Sequence, residues 1–518
     1  MVKKYARPIV SETYVAKVMP FRFGTIDMIA IYVIALFWIN NAASAAAGGV
    51  VSIIYLLLGA LTCFFPCVIA TAQLGVLFPH EGSLYNWTSR ALGRFWGMLI
   101  GFFLWLAGVL AIVAGADTFA TYLQGLNNNW LSQPWQQGLL IMVVIIFSAA
   151  LACQRVATSQ YLVKFAACFI AVVVVLVGLS ALVWLLTGQH VATNFQHSAD
   201  WSITPGNYSL FGLITLLYLG TNIPLNMGGE VSGRRVVTQH LLWGALFVVV
   251  SYLVVTFAIL VVRGPAILQT AVLPIEVVTT VDLSLGKVWG NIVTLGILLF
   301  FVMVPMVYTA ASSRILFAMA VDHWLPEQLT KYLGTLNRQR VPAHAIYLQT
   351  CLAIFFTAVA FVIAPYLVRL GSPQDLANKV FLVTSASVEI VWTLATIFLF
   401  VDVSMLALRH RATFSRVRIV PPPLLWASCV IGPVACVLAI VGTIGYSWAP
   451  PLIDNTQWLL WVSGFTLAVI VVSIVGVLFA SAVAESSEMW RELDVPEKDF
   501  RFEDFRAAVE AQQVKNQT

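Results

Sequence analysis

Tyr218-Leu219-Gly220-Thr221-Asn222-Ile223-Pro224-Leu225-Asn226-Met227-Gly228-Gly229-Glu230 is a polar stretch, rich in glycine and broken by a proline, at the end of an otherwise apolar run, 209–229. In hydrocarbon, a backbone N–H or C=O without a partner costs several kcal/mol, so such a stretch belongs where it lines a cavity buried in protein. A second interruption, Phe37-Trp38-Ile39-Asn40-Asn41-Ala42-Ala43-Ser44, followed by small residues to Gly48-Gly49, falls in the run 26–46. A broken helix offers free N–H groups and a positive dipole end to an anion, and its free carbonyls can hold a cation or an ammonium. Trp38, Asn40, Asn41 and Ser44 are therefore expected to face a solute. The two interrupted runs are five apart, the separation of corresponding helices in a five-plus-five inverted repeat. Close packing of small residues and a simple kink at Pro224 would account for either break alone. Their pairing points to a transport site.

Working outward, the runs long enough for a spanning helix are 26–46, 51–76, 97–124, 137–153, 163–186, 209–229, 239–262, 289–312, 343–367, 380–405, 424–447 and 457–484, against a requirement of roughly 20 apolar residues. With 60% of 518 residues hydrophobic and 10% charged, there is too little charge to coat soluble domains of this size. Lipid must be the main solvent. If the runs cross alternately, the N-terminal arm, the loops after even-numbered runs and the C-terminal tail hold 24 of the 28 Lys and Arg. The other four, Arg263, Lys287, Arg369 and Lys379, fall in the opposite loops. That asymmetry follows the positive-inside rule and puts both ends in the cytoplasm, with an even number of crossings. The net charge of +5 is then a topological signal and no sign of nucleic-acid binding. The expected fold is an all-α integral membrane protein of twelve transmembrane helices, with no cleaved signal peptide. Trp130, Trp135, Trp201, Trp289, Trp448 and Trp458 cluster near outer helix ends, as interfacial anchors do. The seven cysteines lie in or at the ends of apolar runs and imply no disulfide framework; Cys63 and Cys67 read as packing.

Several segments together resemble the amino acid-polyamine-organocation superfamily of transporters. Ala72-Gln73-Leu74-Gly75, Phe78-Pro79-His80-Glu81-Gly82-Ser83-Leu84-Tyr85-Asn86-Trp87 and Ala91-Leu92-Gly93-Arg94-Phe95-Trp96-Gly97 are similar to its second-helix exit. Tyr218, Gly220, Asn222, Asn226, Glu230 and Val231 fall on its sixth-helix pattern. Ser313-Arg314-Ile315-Leu316-Phe317-Ala318-Met319-Ala320 through Leu325-Pro326 looks like its motif after helix eight. The resemblance implies a LeuT-like fold, ten core helices in two inverted repeats plus two peripheral ones, with alternating access about a midplane site. It implies that Tyr218 is an aromatic gate over the substrate and that Gly220, Thr221 and Asn222 form the unwound segment of helix six. The glycine turn with which many amino acid permeases bind a carboxylate is replaced by Trp38-Ile39-Asn40. Helix one and the second-helix exit are most similar to the glutamate/γ-aminobutyrate antiporter branch.

The resulting division is a cytoplasmic arm 1–25, a transport core 26–408, peripheral helices 409–484 and a cytoplasmic tail 485–518. The tail carries Trp490, Phe500, Phe502 and Phe505, and either forms an amphipathic surface helix, covers the cytoplasmic mouth or stays mobile. A carboxylate at mid-helix is costly unless it faces a cavity, a partner or a proton. Glu389, three residues before Trp392, is the first choice for a protonatable or substrate-facing acid, and Asp117 the second. Trp392 joins the expected substrate-facing set. Lys164 reads as an anchor at the cytoplasmic entrance, and Thr309, Ser312 and Ser313 as weak candidates for a sodium site. Glu230 is expected to form a cytoplasmic gate pair with Arg234 or Arg235.

The expected function is secondary transport of a small amino acid or organic amine across the cytoplasmic membrane, by proton symport or exchange. No cofactor, metal centre or enzymatic activity is expected, and no phosphate-binding GxxxxGK[ST] loop occurs. A transporter of a monovalent cation or other solute on the same scaffold, and a membrane sensor that binds without transport, are the alternatives. The oligomeric state is left open.

Overall fold

The computed structural model describes residues 10–19, 23–127, 130–269, 273–367, 373–448 and 453–486. The aromatic residues of the tail beyond 486 and the basic residues Lys3, Lys4, Arg7 and Arg22 lie outside them. In chain order the helices are α1 (Val10–Val18), α2 (Thr25–Leu36), α3 (Ile39–Ala46), α4 (Val51–Leu77), α5 (Ser83–Leu92), α6 (Arg94–Leu126), α7 (Pro134–Ala152), α8 (Val156–Leu186) and α9 (Ser209–Leu217). There follow α10 (Arg234–Val262), α11 (Glu276–Leu285), α12 (Lys287–Val321), α13 (Glu327–Leu333), α14 (Ala343–Tyr366), α15 (Pro373–Arg409), α16 (Arg411–Val417), α17 (Pro422–Gly445) and α18 (Asn455–Ser486). Among the described residues, extended pairing is limited to isolated bridges at Phe23–Val231 and Glu81–Met227.

Ten of these helices are long and apolar enough to cross a membrane, and α2 with α3, bent by 42°, makes an eleventh. The run 209–229 is not one helix. α9 ends at Leu217, and the chain continues through Gly220 at φ +98° and two short 3-10 turns, Ile223–Asn226 and Gly228–Glu230. A left-handed glycine and a proline without an N–H stop the helix from propagating. The first break is narrower than the sequence suggests. Only Phe37 and Trp38 are extended, and helix resumes at Ile39, with the Asn41 amide bonded to the Trp38 carbonyl at 2.9 Å. Asn40, Asn41 and Ser44 are thus helical, because the alanines around them favour helix strongly.

The close approach of α6 and α12 fixes the centre of the bundle. Gly101, Gly108 and Gly115 recur every seven residues along α6 and lay its backbone against α12. A Cβ at these positions would lie 3.2 Å from Met319 Sδ, 2.0 Å from Ser312 Oγ and 2.9 Å from Val304 Cγ1. Small residues spaced in this way let two helices touch without a side chain between them. Ser312 is therefore committed to packing, and the Ser313 hydroxyl donates to Ala310 O of its own helix at 3.0 Å.

Within the N-terminal arm, the described segment 10–19 is docked. On α1, the Ser11 amide and hydroxyl donate to the two Asp322 carboxylate oxygens at 2.7 and 2.9 Å, and the Tyr85 hydroxyl donates to the same carboxylate at 2.6 Å. Glu12 pairs with Arg90, while Val15 and Met19 pack on Phe317. Trp130, Trp135 and Trp289 are exposed, in keeping with anchors, but Trp458 is not. Its ring is buried against Trp448 and its Nε1 donates to Thr443 O at 2.7 Å, because the ends of α17 and α18 meet there.

Gly108→Ala is expected to lower stability by about 1–3 kcal/mol through overpacking. Adding Ser312→Ala, which removes the clashing oxygen, should recover part of that loss in detergent thermal unfolding. An additive loss in the double variant would contradict this contact.

Candidate functional site

A helix that stops inside an apolar bundle exposes carbonyls at one stub and amides at the next. At the first break these groups are engaged by tyrosines from two other helices. Tyr252 on α10 accepts from the Trp38 amide at 3.0 Å and donates to Leu36 O at 3.1 Å. Tyr308 on α12 donates to Ala35 O at 2.8 Å, and the Trp38 indole Nε1 donates to the same oxygen at 3.1 Å. Thr256 adds a bond to Ala42 O at 3.4 Å.

An aromatic chain runs from this break to the other. Phe301 meets Trp38 edge-on at 5.9 Å, Trp38 meets Tyr308 at 6.1 Å, and Tyr308 meets Trp392 at 6.1 Å. Trp392 ends the chain beneath Gly220, where a Cβ would lie only 3.1 Å from its ring. Two buried polar atoms at this chain lack a hydrogen-bond partner, Trp392 Nε1 and, two residues beyond Trp38, Asn40 Oδ1; Glu389 Oε2 also lacks one, near Cys63 of α4. Such orphans are uncommon in folded proteins and mark places where a ligand or water completes the bonding.

The expected site residues divide into two groups. Trp38, Gly220 and Trp392 meet around Tyr308, with Asn40 beside Asn41 (Nδ2 to Oδ1, 3.0 Å) and Ser44 a turn further along α3. Tyr218 meets Tyr252, one of the two tyrosines at the first break, edge-on at 6.0 Å. It is fully buried, stacks on Phe64 at 4.7 Å and donates to Leu56 O of α4 at 3.1 Å. Thr221 bonds Thr71 at 3.0 Å, and Asn222 donates to Ser83 Oγ at 3.3 Å. Asp117 lies five residues before Tyr122, whose ring stacks on Phe301. The Asp117 backbone carbonyl accepts from the Thr121 hydroxyl at 3.1 Å.

Below the sixth break, the chain is stitched to two neighbours: the Gly82 amide donates to Asn226 O and the Phe23 amide to Glu230 O, both at 3.0 Å. This turns the Glu230 side chain inward, where Arg314 of α12 donates to its Oε1 from Nη2 at 2.5 Å and from Nε at 2.7 Å. Both partners are buried. The expected pairing with Arg234 or Arg235 is corrected: both are exposed at the start of α10, and Arg234 donates to Val417 O at 2.9 Å. Likewise Lys164 meets Asp27 at 3.0 Å and so ties α8 to α2. Sequence reasoning missed Tyr252, Tyr308, Glu81, Arg314 and Asp402, a buried acid that accepts from Thr88 at 2.6 Å. Asp402, a carboxylate inside an apolar run, is the one of these whose position in the sequence signals it.

Tyr252→Phe strands the Leu36 carbonyl and the Trp38 amide, each at about 1–3 kcal/mol if left unpaired. Tyr308→Phe leaves Ala35 O its indole bond. The first variant should lower detergent thermal stability distinctly more than the second; equal losses would contradict the assigned bonding.

Comparison with known proteins agrees with this architecture. The model of the amino acid permease family matches residues 23–477. Polyamine transporter PUT1 of Oryza sativa subsp. japonica is 30% identical over 112 residues, 20% of this chain and 21% of that protein. An uncharacterised transporter of Legionella pneumophila is 24% identical over 247 residues, 46% of this chain and 52% of that one. The serine/threonine exchanger SteT of Bacillus subtilis is 24% identical over 299 residues, 56% and 64% of the two chains. This chain therefore matches about a fifth of the rice protein's length and about half of the Legionella protein's. The likeness to glutamate/γ-aminobutyrate antiporters rests on the motifs quoted above alone. With a family match from Phe23 to Val477 and ten long apolar helices, the chain is a multi-pass membrane protein and belongs to the amino acid permease family of the amino acid-polyamine-organocation superfamily.

Proposed function

We propose that the protein is a secondary transporter that carries a small amino acid or related organic amine across the cytoplasmic membrane by alternating access, as a proton symporter or an exchanger. The observation that carries this reading is the pair of helix breaks joined by the chain Phe301–Trp38–Tyr308–Trp392, with orphaned polar atoms around it. In this reading the chain crosses twelve times, with α2 and α3 as the first crossing and α9 plus its following turns as the sixth. Residues 26–408 form the five-plus-five LeuT-like core, and 409–484 are peripheral. The arm 1–25 and the tail 485–518 are cytoplasmic, which the distribution of Lys and Arg supports.

Trp38, Asn40, Asn41, Ser44 and Trp392 contact the solute, while Tyr218, Gly220, Thr221 and Asn222 shape the unwound segment that moves. Aromatic faces hold an ammonium by cation–π attraction, and Glu389 supplies the counter-charge or the coupled proton, with Asp117 as the second candidate. Glu230 closes the cytoplasmic gate on Arg314. The Trp38 amide, which a carboxylate would need, is engaged by Tyr252; this favours recognition centred on the amine. The relatives' names, polyamine transporter and serine/threonine exchanger, support the substrate class. The solute leaves unchanged, so no catalytic residue or cofactor is assigned.

Proteoliposomes should accumulate or exchange at least one radiolabelled amino acid or polyamine. Trp392→Ala should weaken its apparent affinity about ten-fold, the equivalent of about 1.4 kcal/mol, without loss of folded protein. Glu389→Gln should abolish the pH dependence of that flux. Wild-type affinity in the first variant would remove Trp392 from the site, and an unchanged pH profile in the second would remove Glu389 from coupling.

A further inference from the structure

Beside the Glu230–Arg314 pair lies a second buried acid that the transport reading leaves without a task. Glu81, in the loop between α4 and α5, is 1% exposed, and neither of its carboxylate oxygens has a hydrogen-bond partner. It is held there by its backbone. Glu81 bridges Met227, and a Cβ on Gly229 would lie 3.2 Å from its Cγ and 3.4 Å from its Oε1. Val15 of the docked arm closes over the same glycine, at 3.4 Å. Arg314 gives its bonds to Glu230 and, from Nη1 at 2.7 Å, to Ala310 O. Two carboxyl groups thus share the field of one guanidinium, and one of them holds it.

An ionised carboxylate that is buried without a donor is strongly unfavourable, and such a group takes up a proton instead. Burial pushes the Glu81 carboxyl well above the usual carboxylate range, the Glu230 charge pushes it further, and Arg314 opposes both. The other charged groups on this face are engaged elsewhere. Glu12 pairs with Arg90 and lies 3.9 Å from His80, and Asp322 accepts from Ser11 and Tyr85.

We propose that Glu81 is a proton-binding site linked to the gate: its carboxyl holds a proton while Glu230 holds Arg314 under the docked arm, and gives that proton to water on the arm side when the gate opens. The O–H bond of the carboxyl breaks, the electron pair stays on the carboxylate, and water carries the proton away. Nothing is oxidised or reduced. The closed state binds one proton more than the open state, so opening is favoured as arm-side pH rises and opposed as it falls. This rests on the reading of Glu230–Arg314 as a transporter's gate, but its test does not require flux.

The test places a single cysteine at Val307, which lines the cleft next to Arg314, in a cysteine-free background, and follows labelling by a membrane-impermeant maleimide from the arm side against pH. Burial pushes Asp322 up to about 7, so it titrates on the same face. The comparison is therefore made between Asp322→Asn and Asp322→Asn/Glu81→Gln. Corrected for the reagent's own pH dependence, labelling in the first should rise with pH by up to about ten-fold per unit, the limit for one linked proton. In the second it should be flat. A slope that survives Glu81→Gln overturns the proposal. Infrared difference spectra of the full chain without further substitution should also show a protonated carboxyl band at neutral pH that Glu81→Gln removes; its absence overturns the proposal independently. If no solute is transported but both results hold, the proton site stands and the transport reading fails. If transport holds and the slope is indifferent to Glu81, the reverse is true.

Discussion

A helix that stops at membrane depth leaves backbone groups that lipid cannot satisfy, and how those groups are satisfied decides what the rest of the bundle must do. At the first break, the answer is two tyrosine hydroxyls, Tyr252 and Tyr308, reaching in from α10 and α12. Each bond fixes the distance between the broken helix and one neighbour. α12 is fixed again from its other side by the glycine stripe of α6. The break is thus held by hydroxyls, and under the proposed transport function an ammonium can take the place of a hydroxyl that donates to a carbonyl there.

Charge on the arm side follows the same logic. Glu230, Arg314, Glu81 and Asp322 are all buried, where an unpaired ion is expensive and a paired one contributes little net stability. The Glu230–Arg314 pair joins the sixth-break segment to α12, and Val15 of α1 lies over the neighbouring Gly229. If that pair is the proposed gate, its opening hydrates all of these buried groups together. A gate built from buried charges is cooperative for that reason, and it carries pH sensitivity wherever an extra carboxyl is enclosed with it.

Much of this was legible in the sequence because lipid imposes length. The runs 51–76 and 424–447 became Val51–Leu77 and Pro422–Gly445, shifted by no more than two residues at either end. The second break was legible because Gly220, Pro224 and Gly228-Gly229, close together among polar residues, all disfavour helix. The extent of the first was not, since Asn40, Asn41 and Ser44 read as polar interruptions yet sit in helix among alanines. The capping tyrosines were also out of reach: they are 214 to 273 residues from the groups they bond, and a lone tyrosine in an apolar run does not announce its partner. Arg314 counted as a topological charge by rule and proved to be a buried partner of Glu230, because the rule weighs where a charge lies along the chain and is blind to what it faces.

In the proposed alternating access, the space between the two breaks opens to one side of the membrane at a time. A cysteine in place of Ser44, half-buried on α3 in the proposed solute-facing set, in an otherwise cysteine-free protein, tests it with impermeant thiol reagents applied separately to each side of oriented vesicles. The account predicts reaction from either side in turn, with the favoured side shifted by a transported amine and the reaction slowed when that amine is bound. A cysteine that reacts from one side only under every condition, or from both at once, would contradict it.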